Sequence, residues 1–383
     1  MRFHGRGKRN KMLSMKLELT EQARIYLKKV VSAWNGSLAA SDAWNAYLED
    51  PDPQEADALA LLRREGYQEK DAFPEFFRRR GYLEEGDFSA FRRAFALGEP
   101  KELSPKVYRA NPYARLLKGV RGKKGDSSLG EKRYRPYEAF LYDEVRGDPE
   151  GAYREISPFG YFKEGFSCPA ISSGGTVWMS LIPHEIHTMR KPIEVAHGRV
   201  LCLGLGLGYY PYMVGEKKEV SSVDVVEWDK DVLGLFSSEI FLRFPHSEKY
   251  RFLEGDAFSF LKKQAKEGDY DFIFADLWHN AEDGLPLYLA LKKLEGEKNL
   301  SMSYWIEESI LTYLRRFVVL LLQEAEEGKG EEDYPHGEFL DETMRGLYLL
   351  SKETALRTKE DIRLFLSDAN LRDLAKRLSE AKN

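Results

Sequence analysis

Three glycines at alternate positions, Gly204, Gly206 and Gly208, interrupt the chain where an apolar run ends. The run from 200 to 203 is uniformly hydrophobic, which is typical of a buried parallel strand, and the aromatic segment after Gly208 predicts a helix. Glycine lets the backbone turn sharply and lets a ligand approach the main chain, while the start of the helix presents free N–H groups. The pattern therefore predicts a site for a nucleotide-type cofactor.

Carboxylates end the next three predicted strands. Glu227 closes the run from 220 to 227, about twenty residues beyond the glycines, where its oxygens can accept hydrogen bonds from both ribose hydroxyls. Asp256, followed by Ala257, ends a short third strand and can receive the amino group of adenine. Asp276 ends a fourth apolar run. Parallel strands would bring all three acids to one edge of a sheet.

The spacing of the glycines disfavours a nicotinamide dinucleotide. The dinucleotide fingerprint is G-x-G-x-x-G, and its third glycine would stand where this chain has Tyr209. An adenosyl compound is therefore the expected ligand, and NAD is a distant alternative.

The order of these motifs resembles the class I S-adenosylmethionine-dependent methyltransferase superfamily, and within it the spermidine-synthase-like branch. The stretches that carry the resemblance are 222–229 (SVDVVEWD), 255–261 (GDAFSFL), 270–276 (YDFIFAD) and the lead-in 177–189 (VWMSLIPHEIHTM). The resemblance extends over roughly residues 156–310 and implies an α/β protein with a Rossmann-like core that binds S-adenosyl-L-methionine. It also implies a role for each motif residue: the methionine and ribose parts of the cofactor for Gly204, Gly206 and Gly208, the ribose hydroxyls for Glu227, the adenine for Asp256 and Ala257, and the reacting group for Asp276.

Two departures from the spermidine synthase pattern favour methyl transfer. Leu207 stands where those enzymes carry an acid that holds the aminopropyl amine, and the run 276–280 (DLWHN) lacks their second aspartate. Both changes remove carboxylates that would recognise a polyamine. The expected function is therefore methyl transfer to a small-molecule acceptor, and aminopropyl transfer from decarboxylated S-adenosylmethionine is the alternative.

Five side chains are candidates for catalysis or for the acceptor pocket. Asp276 is the expected base or orienting group, and His279 could also remove a proton because the histidine pKa lies near neutrality. Trp278 could stack on the acceptor or fill the core. His184 and Glu185 are expected to line the acceptor side by position. No H-E-x-x-H spacing is present, so no metal is expected.

The chain divides by pattern into six parts. The expected parts are a disordered basic tail (1–15), a helical N-terminal domain (16–118), a basic linker and helix (119–155), a β-hairpin lead-in lining the acceptor side (156–197), the Rossmann-like core (198–325) and a helical C-terminal segment (326–383).

Composition limits the class of protein. The net charge of −5 argues against general coating of nucleic acid, and the two cysteines provide no disulfide framework, which fits a cytoplasmic protein. No apolar run is long enough to predict a membrane span. Ten lysines and arginines fall within 106–135, so a nucleic-acid-binding methyltransferase or a non-catalytic adapter is a second alternative. The chain could also form a homodimer.

Overall fold

The computed structural model describes residues 17–49, 55–82, 92 and 100–381. Within these ranges, no helix combines the length and the apolar character needed to cross a bilayer. The predicted basic tail and part of the predicted helical N-terminal domain lie outside the described residues.

Strands and helices alternate through the described ranges. The strands are β1 (Glu18–Leu19), β2 (Lys101–Glu102), β3 (Gly122–Lys124), β4 (Ser127–Tyr134), β5 (Ala139–Leu141), β6 (Arg146–Asp148), β7 (Arg154–Ile156), β8 (Phe159–Tyr161), β9 (Phe166–Ser173), β10 (Thr176–Ser180), β11 (Gly198–Leu203), β12 (Val220–Glu227), β13 (Tyr250–Glu254), β14 (Phe272–Ala275), β15 (Met302–Tyr304) and β16 (Ala355–Leu356). The α-helices are α1 (Glu21–Glu49), α2 (Glu55–Arg64), α3 (Glu69–Arg80), α4 (Pro105–Arg109), α5 (Pro112–Leu116), α6 (Pro183–Thr188), α7 (Arg190–Val195), α8 (Tyr209–Gly215), α9 (Lys230–Glu239), α10 (Ala257–Lys263), α11 (Ala281–Lys298), α12 (Glu307–Glu326), α13 (Phe339–Ser351), α14 (Lys359–Phe365) and α15 (Asp368–Ala381).

A five-stranded parallel sheet forms the core of the molecule, with the strand order β13-β12-β11-β14-β15. Its central strand β11 ends in an apolar run, and Val200 to Leu203 are almost wholly buried, as expected for a strand covered on both faces. The strand order reverses between β11 and β14, so the loops that follow these two strands diverge at one edge and leave a crevice. The predicted Rossmann-like α/β core is confirmed. No further strand joins this sheet in the described ranges.

The prediction of a linker and helix over 119–155 is wrong. The segment contributes β3 and β4 to a second, four-stranded antiparallel sheet, in which β4 pairs with β9 from Ser127 opposite Ser173 to Tyr134 opposite Phe166. The glycines and charged residues of this segment suggested a loop. They lie at turns, such as that of Gly125 with φ +56°, and on the solvent-facing side of β4. No helix lies between 119 and 155.

The lead-in contains the expected hairpin, in which β9 and β10 are joined through Gly174 and Gly175, both with positive φ. Its second half is helical instead, as α6 and α7. This helical half carries Glu185 towards the carboxyl edge of the parallel sheet.

The N-terminal and C-terminal segments are helical for most of their described length. They also meet: β1 pairs in parallel with β16, although no strand pair was expected in the C-terminal segment. Each of these strands has two residues, which is too short to leave a periodic signal in the sequence.

Candidate functional site

A cleft of about 320 Å³ lies at the carboxyl ends of the parallel strands, at the point where the strand order reverses. Seven of the residues predicted for the cofactor or for catalysis line it, and so do two of those predicted for the acceptor pocket. These nine are Gly204, Gly206, Glu227, Asp256, Ala257, Asp276, His279, Trp278 and Glu185.

The glycine loop after β11 has positive φ at all three glycines. At Gly204 (φ +97°), a Cβ atom would lie 2.1 Å from the carbonyl oxygen of Asp276, so the two loops of the crevice touch only because this residue has no side chain. At Gly206, a Cβ would meet Sδ of Met179 at 2.2 Å. Gly208 does not line the cleft: it begins α8 and packs against Phe236. The structure therefore places two of the three predicted glycines at the cleft.

Glu227 is buried at the end of β12, and main-chain groups fix its carboxylate. Oε2 accepts a hydrogen bond from the amide of Leu205 in the glycine loop, and Oε1 accepts one from the amide of Asp229, both at 2.9 Å. Burial raises the pKa of Glu227, while these hydrogen bonds oppose the shift. Each oxygen keeps a second lone pair, so the carboxylate can still accept from a ligand.

The third strand tip carries Asp256, which is exposed and caps α10 by accepting a hydrogen bond from the amide of Ser259 at 2.8 Å. Trp228, directly after Glu227, projects into the same part of the cleft and is 74% exposed. An indole this exposed beside a buried acid offers a flat surface to a planar ring. The sequence motifs did not predict a role for Trp228. Its position immediately after Glu227 is the feature that could have indicated one.

Asp276 and Glu185 form a coupled pair of acids at the inner end of the cleft. Burial, with the negative charge of Glu227 as the second cause, raises the pKa of Asp276 to about 7. Burial and the charge of Asp276 raise the pKa of Glu185 well above its usual range. Neighbouring carboxyls in a poorly solvated site cannot both ionise at low cost. Burial therefore favours the protonated, neutral form of both side chains.

His279 lies at the mouth of the cleft. Its Nδ1 lies 3.1 Å from Oδ2 of Asp283, and its ring stands edge-on to Trp178 with the centroids 4.2 Å apart. Trp178, which the motifs also left without a role, is 46% exposed and lines the cleft. Trp278 is mostly a core residue, since it is buried and donates to the carbonyl of Trp305 at 3.2 Å, but one edge reaches the cleft.

His184 is not part of the acceptor pocket, contrary to the prediction from its position. Its ring packs edge-on against Trp305, at 5.8 Å between centroids, and it does not line the cleft. Burial lowers the pKa of His184 to about 4, so the imidazole is neutral at physiological pH. Neighbouring side chains on a helix point in directions about 100° apart, so Glu185 reaches the cleft while His184 packs against Trp305.

The cleft is strongly acidic. Among the described residues that line it are five carboxylates, Glu185, Glu227, Asp229, Asp256 and Asp276, and no lysine or arginine. Such a site favours ligands that carry positive charge and opposes a pyrophosphate or a nucleic-acid backbone. In the described ranges, no group of three or more His, Cys, Asp or Glu side chains could hold a metal ion.

Comparisons with known proteins add little. No protein-family model matches the chain, and no curated protein matches it. Among solved structures, the crystal structure of MNMC2 from Aquifex aeolicus is similar, with a TM-score of 0.27 and 13% sequence identity over 66% of this chain and 77% of that chain. A likeness at this level carries no argument about activity, and the function rests on the site.

Proposed function

We propose that the chain is an S-adenosylmethionine-dependent methyltransferase whose acceptor is a small molecule with an amine nitrogen. The observation that carries the proposal is the convergence in one acidic cleft of the strand-end residues Gly204, Glu227, Asp256 and Asp276. A cofactor with a net positive charge and a planar base suits an acidic cleft with an exposed indole, whereas NAD, with its anionic pyrophosphate, does not.

The cofactor would be held by groups that are already in place. The carboxylate of Glu227 would accept from the ribose hydroxyls, Trp228 would stack on the adenine, and Asp256 with Ala257 would border its amino edge. Gly204 and Gly206 leave the main chain open beside the ribose and methionine parts. When bound, the cofactor supplies an electrophilic methyl group, which is transferred by in-line displacement.

The Asp276 and Glu185 pair would act on the acceptor. A carboxylate beside the reacting centre stabilises the ammonium form on binding and can take a proton from the nitrogen, and a base with a pKa near 7 suits that task. Trp178 and His279 at the mouth would limit access of water and contact the acceptor. A neutral hydroxyl acceptor would gain much less from the acidic surroundings.

Aminopropyl transfer is the second candidate, and one observation favours it. The sequence lacks two of the acids typical of spermidine synthases, yet the fold brings Glu185 beside Asp276 and so provides a second carboxylate at the site. Leu207 remains a buried apolar residue with no carboxylate to hold an aminopropyl amine. Methyl transfer is therefore preferred.

Calorimetric titration with S-adenosylmethionine, decarboxylated S-adenosylmethionine and NAD, side by side, tests the proposal. Tighter binding of S-adenosylmethionine supports methyl transfer, tighter binding of the decarboxylated compound supports aminopropyl transfer, and binding of NAD alone would contradict both. A screen of amines and alcohols with radiolabelled methyl donor then identifies the acceptor.

Two variants sharpen the screen. Asp276→Asn should bind the cofactor normally and lose roughly a hundredfold or more in turnover if the group acts as the base. Glu254→Gln is the matched control, because that carboxylate is exposed at the end of β13 and does not line the cleft. Full activity of Asp276→Asn would remove the assigned role.

A further inference from the structure

A second cavity, of about 500 Å³, lies apart from the cofactor cleft. It opens between the segment 105–121, which contains α4 and α5, and the antiparallel sheet at β4 and β9. Leu181 lines both this cavity and the small pocket beside the glycine loop. Its charged lining residues belong to the basic stretch 106–135, which has no role at the acidic cleft.

Four cations and one acid line this cavity: Arg109, Arg115, Lys118, Arg121 and Glu131. Two of the cations already have partners. Arg109 pairs with Glu164 at 2.8 Å, and Arg121 pairs with Glu131 at 3.0 Å.

The other two cations, Arg115 and Lys118, are exposed at the rim, and in the part of the chain that the structure describes neither has a carboxylate within 4 Å. They lie three residues apart, on the last turn of α5 and just after it. The helix is fixed from the other side, because Asn111 caps it and the hydroxyl of Tyr113 donates to the carbonyl of Leu207. The two cations therefore project from a rigid support.

Most of the remaining lining is apolar. Tyr108, Leu117, Phe166 and Leu181 are buried and form the floor below the two cations. On the sheet side, a Cβ atom added at Gly130 would have no heavy atom within 4 Å, so the space beside this residue is open. A concave apolar floor with a few charged groups at one side is the usual form of a small-molecule site.

We propose that this cavity is a second ligand site, which binds a small anionic molecule made of an apolar body and a phosphate monoester. Arg115 and Lys118 bind the phosphate, and the floor covers the apolar part. Two uncompensated cations match the charge of one phosphate group at neutral pH.

A nucleic acid is a poorer match for the same cavity. Backbone binding needs a row of cations along several phosphates, and single-strand binding also needs exposed aromatic rings. Here two of the four lining cations are paired with carboxylates, and the other two lie three residues apart, which matches a single phosphate and not a row of them. The proposal is independent of the methyltransferase proposal, since the two clefts have opposite charge and are tested with different ligands.

Calorimetric titration of the full chain at low salt with phenyl phosphate, inorganic phosphate and phenol tests the proposal. Phenyl phosphate should bind at least roughly tenfold more tightly than either fragment, because only it uses both the cations and the floor. Equal binding of phenyl phosphate and inorganic phosphate would overturn the assigned apolar subsite.

Two variants locate the site. The double variant Arg115→Gln/Lys118→Gln should weaken phenyl phosphate by roughly tenfold or more, because it removes both charge-assisted contacts. Gly130→Val adds side-chain volume at the cavity wall in a strand where a β-branched residue is well tolerated, and it should also weaken binding. The matched control is Lys106→Gln/Lys123→Gln, two exposed cations outside the lining, which should leave the affinity unchanged.

Three results would overturn the proposal. The first is unchanged affinity in the Arg115→Gln/Lys118→Gln variant. The second is loss of binding in that variant but not in Gly130→Val, which would place the anion on the open rim. The third is much tighter, steeply salt-dependent binding of a short single-stranded RNA that the same variants abolish, which would assign the surface to nucleic acid.

Discussion

Asp276→Asn is expected to make the folded protein more stable than the wild type above neutral pH while removing activity. The substitution keeps the shape of the side chain and replaces an ionisable group with a permanently neutral one. Asp276 lies among other acids in a poorly solvated cleft, where its charge is disfavoured. A group that serves the reaction at a cost to the fold should show these two opposite effects.

The sign and size follow from the pKa of Asp276, which burial and the charge of Glu227 raise from 3.8 to about 7. The folded state then holds a proton that the unfolded chain releases, so this contribution to stability is complete below about pH 4 and is lost as the pH rises through about 7. Between about pH 5.5 and about pH 8.5, this proton linkage lowers the free energy of unfolding of the wild type by up to about 2 kcal/mol. The asparagine variant lacks this loss.

Urea denaturation of both proteins at the two pH values measures the difference, with the denaturant dependence extrapolated to water. A potentiometric difference titration of the native proteins is the second readout, and it does not depend on how the chain unfolds. It should show one extra proton released by the wild type with a midpoint near neutrality. Asp271→Asn is the control, because the Arg199 guanidinium lowers the pKa of Asp271 to about 2 and its proton is lost well below this range.

Parallel pH dependence in wild type and Asp276→Asn would refute the reasoning, as would a titration difference centred near the pKa of an ordinary aspartate. Either result would mean that Asp276 is ionised throughout and that Glu185 does not share its environment. The proposed proton acceptor would then have to be sought elsewhere in the cleft.

Three further substitutions test other parts of the site. Gly204→Ala should lower stability by about 3 kcal/mol or more, seen as a large fall in Tm, because alanine is strained at φ +97° and its Cβ would lie 2.1 Å from the carbonyl oxygen of Asp276. Trp228→Ala should weaken S-adenosylmethionine roughly tenfold in calorimetry through lost stacking, with Tm unchanged, and Leu242→Ala, which removes an equally exposed residue outside the cleft, should change neither. Glu227→Gln should raise the Kd for S-adenosylmethionine at least about tenfold, and equal affinity in calorimetry would contradict its assignment to the ribose.

The sequence alone determined the architecture of the core and the edge where the cleft lies. Strands buried on both faces appear as apolar runs, so β11 and β14 were recognisable from local pattern, and β12 from the valines that precede Glu227. Glycines and acids at strand ends must meet at one edge of a parallel sheet. The sequence therefore predicted that Gly204, Glu227 and Asp276 lie together, as they do in the cleft.

Tertiary structure decided what local pattern does not encode. The segment 119–155 forms strands because β4 pairs with β9, about forty residues further along the chain, and a half-buried strand flanked by glycine turns looks like a loop until that partner is known. The orientation of α6 turns Glu185, and not His184, towards Asp276, which is about ninety residues away in sequence. The pairing of these two acids depends on burial and proximity, which are properties of the folded chain, and so do their raised pKa values.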